Sequence, residues 1–338
     1  MLLGDTTSFA DLGLVVVDEQ HRFGVEQREA LRLKGRHPHV LVLTATPIPR
    51  TVAMTVFGDL DVSTIRQLPA GRAGIETHVV PLAERPNWRP RVWERLAEEL
   101  EQGRQAFVVC PAIEPKVAED DGEPVDAEGE GDAGPAASVA SVLAELRAHP
   151  RLADARIAPL HGRMGADEKD ETMRAFAAGD LDVLVATTVI EVGVDVPNAS
   201  TMVVVDADRF GVSQLHQLRG RVGRGAVPGL CLLVTRAEAE TVARERLDAV
   251  AGTLDGFELA RVDLELRQEG DVLGAVQSGR RTSLKLLRVT RDGDVIADAR
   301  EAAAEVLRDD PELVAHPALA AAVRRRLDDE ASEYLSRG

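Results

Sequence analysis

The chain has 338 residues, 44% of them hydrophobic, enough for two or three domains with cores of their own. Aromatic residues make up only 3%, so those cores must be built from Val, Leu, Ala and Ile. The formal net charge of −17 argues against indiscriminate binding to nucleic acid, and no apolar run approaches the ~20 residues of a membrane span. Met1-Leu2-Leu3 runs at once into Gly4-Asp5, with no leader-like stretch. Cys110 and Cys231 lie in separate apolar runs without a CxxC spacing, which reads as reduced core thiols in a cytoplasmic protein.

In chain order, short apolar runs occur at 12–17, 40–43, 106–109, 157–160, 182–186, 201–205 and 230–234. Several are continuous rather than alternating, as strands covered on both faces should be. Helical spacing lies between them. Residues 89–103 carry Val92, Leu96 and Leu100 before a glycine stop, and 166–179 open on acidic residues and end at Gly179 as a C-cap. Strand and helix in alternation predict an α/β fold with parallel sheets. Residues 116–137 hold eight Asp/Glu against one Lys, have no apolar period, and read as a disordered acidic insertion. From about 236 the pattern turns to helices and turns, with closing helices over 295–311 and 316–335.

The charge is uneven, with arginines clustered at Arg219, Arg221 and Arg224 and again at Arg280, Arg281, Arg288 and Arg291. An acidic chain can still present a basic groove. "LVVVDEQH" delivers Asp18 and Glu19 at the end of a strand, where a parallel sheet binds its ligands. Such carboxylates hold Mg²⁺ or orient water in phosphoryl transfer; in isolation an Asp-Glu pair is more often an ordinary surface turn. "LTATPIPRT" places the hydroxyls of Thr44 and Thr46 after the next run. "HGRM" puts His161 after a strand, as a phosphate contact or a turn filler. "ATTVIEVGVDVP" offers Thr187 and Thr188 to a nucleic-acid phosphate, followed by Gly193 and Asp195. In "QLHQLRGRVGR" three arginines crowd one short helix or turn, either as a solvated basic face or around an anion. Arginine is the residue that stabilises charge on a transferring phosphoryl group.

In this order the segments resemble the motifs of DExH helicases of the second superfamily. "DEQHRFGVEQR", "GDLDVSTIRQLPAGR", "CPAIE", "LHGRMGADEKDETMRAF" and "DRFGVSQLHQLRGRVGRG" resemble the RecG family of branched-DNA helicases, from about residue 10 to 285. The coupling factor Mfd shares "TATPIPRT" and "RGRVGR" but typically has an acidic residue where Gln20 stands. The resemblance implies tandem RecA-like parallel-sheet domains, the first incomplete, followed by a small, mostly helical C-terminal region. The boundaries expected are 1–80, 81–235 and 236–338. It implies ATP and Mg²⁺ as cofactors and branched double-stranded DNA as partner, no membrane, and a monomer, acting in recombination and repair.

For residues, the resemblance implies Asp18 and Glu19 at Mg²⁺ and the attacking water, with Gln20 and His21 coupling nucleotide state to DNA. Thr44 and Thr46 would link hydrolysis to motion, and Gly193, Asp195 and Gln217 would lie toward the nucleotide. Arg221 and Arg224 would be arginine fingers, with His161, Thr187 and Thr188 toward DNA. Residues 255–279 are similar to the family's translocation region through Arg267, Gly270, Gly274 and Gln277. The chain has Gln268-Glu269 where the family usually has Gly-Pro, so the turn there is expected to be altered.

None of the four lysines, Lys34, Lys116, Lys169 and Lys285, ends a glycine loop of the GxxxxGK[ST] kind that cradles phosphates. In the family that loop and the junction-gripping wedge domain lie upstream of the DExH strand. The expectation is an incomplete gene product, or an internal Met taken as the start, that hydrolyses little ATP alone. The alternative reading is a non-catalytic branched-DNA-binding or regulatory module.

Overall fold

The structure is a computed structural model that describes residues 7–18, 30–36, 38–44, 63, 65, 74–114, 136–188, 196–225, 227–266 and 293–325. The acidic insertion expected at 116–137 lies outside them except for Ala136 and Ala137. The chain divides into two compact units, residues 1–47 with 65–266, and residues 48–64 with 267–338.

Two parallel sheets organise the first unit. β1 (Leu14–Val17) pairs with β2 (His39–Val42), Val17 opposite Val42. β1 alternates, with Val15 and Val17 buried and Leu14 and Val16 exposed; Leu41 and Leu43 are exposed too.

The second sheet has six parallel strands: β3 (Ile75–Pro81), β4 (Gln105–Val109), β5 (Ile157–Leu160), β6 (Val183–Ala186), β7 (Ala199–Val205) and β8 (Gly229–Thr235), in the spatial order β3-β8-β7-β4-β6-β5. Its helices are α1 (Trp88–Leu100), α2 (Val139–Ala148), α3 (Ala166–Ala178), α4 (Val212–Arg219), α5 (Val242–Gly252) and α6 (Gly256–Leu266). Because successive strand residues face opposite sides, a strand covered on both faces must be apolar throughout. Val108, Val183, Val185 and Val203 pack with Trp93 and Leu96 of α1 and Val142 and Leu146 of α2. Phe107, Val109, Leu184 and Val204 pack on the other face with Phe176 of α3, Leu215 of α4, Leu247 of α5 and Leu259 of α6. Phe107 and Phe176 meet at a ring separation of 4.9 Å. Burial pushes the thiols of Cys110 and Cys231 up to about 12, so both remain protonated.

Polar residues at the sheet's margins are matched. Glu99 is 2% exposed and accepts from Arg104 at 2.6 Å and Ser200 at 3.0 Å, with Arg95 at 2.5 Å. Burial pushes its carboxyl up, but these hydrogen bonds and the two arginine charges outweigh that and leave it below the usual value. Gln105, also buried, donates to the carbonyls of Phe176 and Leu181 and accepts from Asn198.

Two boundaries differ from the sequence expectation. β3 alternates half-buried Ile75, Thr77 and Val79 with exposed Glu76 and His78, as an edge strand does, and belongs to the six-stranded sheet although it starts before residue 81. α5 and α6 share that sheet's core, so the unit runs on to Leu266 rather than stopping near 235. In the second unit, α7 (Gly293–Asp309) matches the helix expected over 295–311, and the described part of the next, 317–325, is helical. Asp310 accepts from the backbone N–H groups of Val314 and Ala315 at the corner between them.

Candidate functional site

Parallel pairing sends the C-terminal ends of the strands to one edge of each sheet, the edge outside which ligands of open α/β folds bind. On the smaller sheet, Asp18 follows β1 and Thr44 lies just beyond β2, both exposed. Leu43 N–H donates to Val17 O at 2.8 Å, so the two strand ends that present them run side by side. Of the carboxylate motif Asp18 alone is described. Glu19, Gln20 and His21 lie outside the described residues, as do Thr46, Gly193, Asp195, Arg267 and Gln277.

On the larger sheet β5 and β6 are neighbours, and their ends bring His161 beside Thr187 and Thr188. The N–H of Thr187 donates to Leu160 O at 3.3 Å, which joins the two strand exits. His161 begins a tight turn in which Met164 N–H donates to His161 O, and Lys169 of α3 donates to Gly162 O at 3.0 Å. His161 Nδ1 is buried and has no hydrogen-bond partner among the described residues. Gly179 ends α3 in the left-handed region at φ 82°, as the sequence predicts.

The arginine turn begins on α4. Gln214 accepts from Gly211 N–H and closes the helix start, with Gln217 half-buried one turn further on. Apolar spacing through Val212, Leu215 and Leu218 seats the helix on the sheet and aims Arg219 inward as well. Arg219 is 1% exposed. Its guanidinium donates to Val250 O, to Thr253 O at 2.8 Å, and pairs with His216 Nδ1 at 2.9 Å. It therefore satisfies carbonyls at the C-terminal end of α5, where a helix carries partial negative charge. Burial, then the Arg219 charge, bring His216 down to about 4, so the imidazole is neutral near pH 7.

After α4 the chain turns sharply at Gly223, φ 67°, a conformation favouring glycine. A Cβ on Gly229 would meet Gly223 N at 2.9 Å, so the turn is pressed against β8. This places Arg221 and Arg224 half-buried beyond the helix end, with Arg224 Nε donating to Gly220 O at 2.9 Å. The three clustered arginines thus divide: Arg219 serves the core, and Arg221 and Arg224 are presented by the turn. Position 219, four residues after Leu215 on a helix, was the sequence signal for that role.

Among the described residues, no group of three or more His, Cys, Asp or Glu is placed to hold a metal ion, and no helix is long and apolar enough to cross a membrane.

A parallel six-stranded sheet with helices on both faces is a RecA-like fold, and residues 91–226 match the helicase conserved C-terminal domain. Residues 253–330 match domain 3, C-terminal, of the ATP-dependent DNA helicase RecG, and by sequence the chain is similar to RecG proteins along nearly its whole length. It is 51% identical to the ATP-dependent DNA helicase RecG of Mycobacterium bovis over 339 residues, 99% of this chain and 44% of that protein. With the RecG of Bacillus subtilis it shares 45% identity over 91% of this chain and 42% of that protein. The structure of RecG bound to a three-way DNA junction superposes with a TM-score of 0.61 at 38% identity, covering 86% of this chain and 34% of that one. The chain spans less than half the length of these relatives.

Proposed function

We infer that the protein serves as an ATP-dependent DNA helicase of RecG type, acting on branched DNA such as stalled forks and Holliday junctions in recombination and repair. The observation that carries this is the shared edge of the six-stranded sheet, where His161, Thr187 and Thr188 adjoin. Side chains and backbone N–H groups of this kind contact phosphates, so binding should follow DNA shape and weaken with salt. Arg221 and Arg224 supply positive charge to the phosphoryl group in transfer, and Gln217, Gly193 and Asp195 line the nucleotide. The exposed Asp18 carboxylate is a hard oxygen donor suited to a hydrated Mg²⁺, with Glu19 beside it in sequence to orient water. Bound Mg²⁺–ATP supplies the phosphoryl group and its neutralising charge. Gln20, His21, Thr44, Thr46, Arg267 and Gln277 transmit nucleotide state to DNA grip. The setting is cytoplasmic and the working form a monomer.

A second reading, a non-catalytic branched-DNA-binding module, is favoured by the six-stranded sheet having helices and a packed core on both faces. The two separate in one assay. The 338-residue chain, titrated into labelled three-way junction and linear duplex at several salt concentrations, should prefer the junction, with log K falling by ~0.9 per phosphate contact against log salt. Absence of DNA binding at low salt would sink both readings. ATP turnover well above background in the same samples would exclude the non-catalytic one, and with it the expectation that these 338 residues alone hydrolyse little.

A further inference from the structure

Glu114 lies just past the end of β4, and Arg163 sits in the turn after β5. Their side chains meet as an ion pair at 3.0 Å, each 65% exposed. β6 runs between β4 and β5, so the pair joins the loops flanking the strand that ends at Thr187 and Thr188. Both partners are held from behind. Val139 and Ala140, in the first turn of α2, donate their N–H groups to Ala112 O and Ile113 O at 2.9 and 3.2 Å. Arg163 is fixed by the turn between His161 and Met164, which Lys169 braces through Gly162. An ion pair this exposed contributes little to stability, because water competes for both charges. It therefore has little structural cost to break.

A carboxylate presents a guanidinium with the same kind of charged oxygen acceptor that a phosphate does. We propose that Glu114 occupies Arg163 as an internal stand-in for a DNA phosphate, and that DNA displaces Glu114 to take Arg163 as a further phosphate contact. The proposal rests on the DNA-binding reading of this edge. Every DNA molecule must break the pair to bind fully, so weak or partial contacts are selected against.

A double-mutant cycle on the full 338-residue chain tests it, with three-way junction affinity measured against salt. Glu114→Gln should tighten binding about two- to fivefold, the worth of an exposed ion pair. Glu114→Ala, measured in parallel, should do the same. Arg163→Gln should weaken binding and reduce the salt slope by ~0.9, one phosphate contact. In the Arg163→Gln background, Glu114→Gln should change nothing. Equal tightening in both backgrounds would mean the carboxylate merely repels DNA at a distance and would overturn the proposal, as would unchanged or weaker binding by the Glu114 variants. Failure of the unaltered chain to bind DNA would remove the underlying reading and this proposal together. Binding by the unaltered chain without the expected cycle would remove this proposal alone.

Discussion

Arg219→Ala is expected to destabilise the first unit by about 3–5 kcal/mol, since the buried Val250 carbonyl, the partly buried Thr253 carbonyl and the His216 ring nitrogen lose their partner at once. Urea denaturation at pH 7.5 would measure it. The same variant should alter the pH dependence. His216 is held to about 4 when folded, against an ordinary value of 6.5. Between those values the unfolded chain binds a proton that the folded one refuses, so the wild type should lose stability as pH falls from 6.5 toward 4. Without the Arg219 charge the folded value rises and that slope flattens. A loss below 1 kcal/mol with an unchanged pH profile would show that the guanidinium does not hold α4 to α5.

The second large effect belongs to Glu99. Removing Arg95 and Arg104 together should cost about 3–5 kcal/mol, because it leaves a buried carboxylate with only Ser200 to stabilise its charge. Glu99→Ala should cost less, about 2 kcal/mol. The arginines left behind are 36% and 27% exposed and can turn to water. Chemical denaturation of the two variants side by side gives the order; the reverse order would mean that Glu99 finds water in the folded protein.

The frame of the six-stranded sheet was legible because its inner strands are continuous apolar runs buried on both faces. The seven apolar runs each became a strand, from 12–17 to 230–234. β3 escaped notice because an edge strand alternates, and "IETHVVP" has no continuous apolar core. The core's extent was hidden for another reason: α5 and α6 follow β8 in sequence but pack back through Leu247, Val250 and Leu259, a tertiary fact without a local signal. In the site, His161, Thr187, Thr188, Arg221 and Arg224 stood out because each follows a strand or helix end. The Glu114–Arg163 pair did not. Its members are distant in sequence, and neither residue type signals the other until β6 is known to lie between their strands.

The measurement closest to the central claim is photocrosslinking of a three-way junction to the 338-residue chain, with the attached peptides mapped by mass. Crosslinks are expected at the strand ends, within 161–164 and around Thr187 and Thr188, fading as salt rises. Crosslinks confined to the opposite edge of the sheet, near Arg104 and Arg156 where β4 and β5 begin, would contradict it.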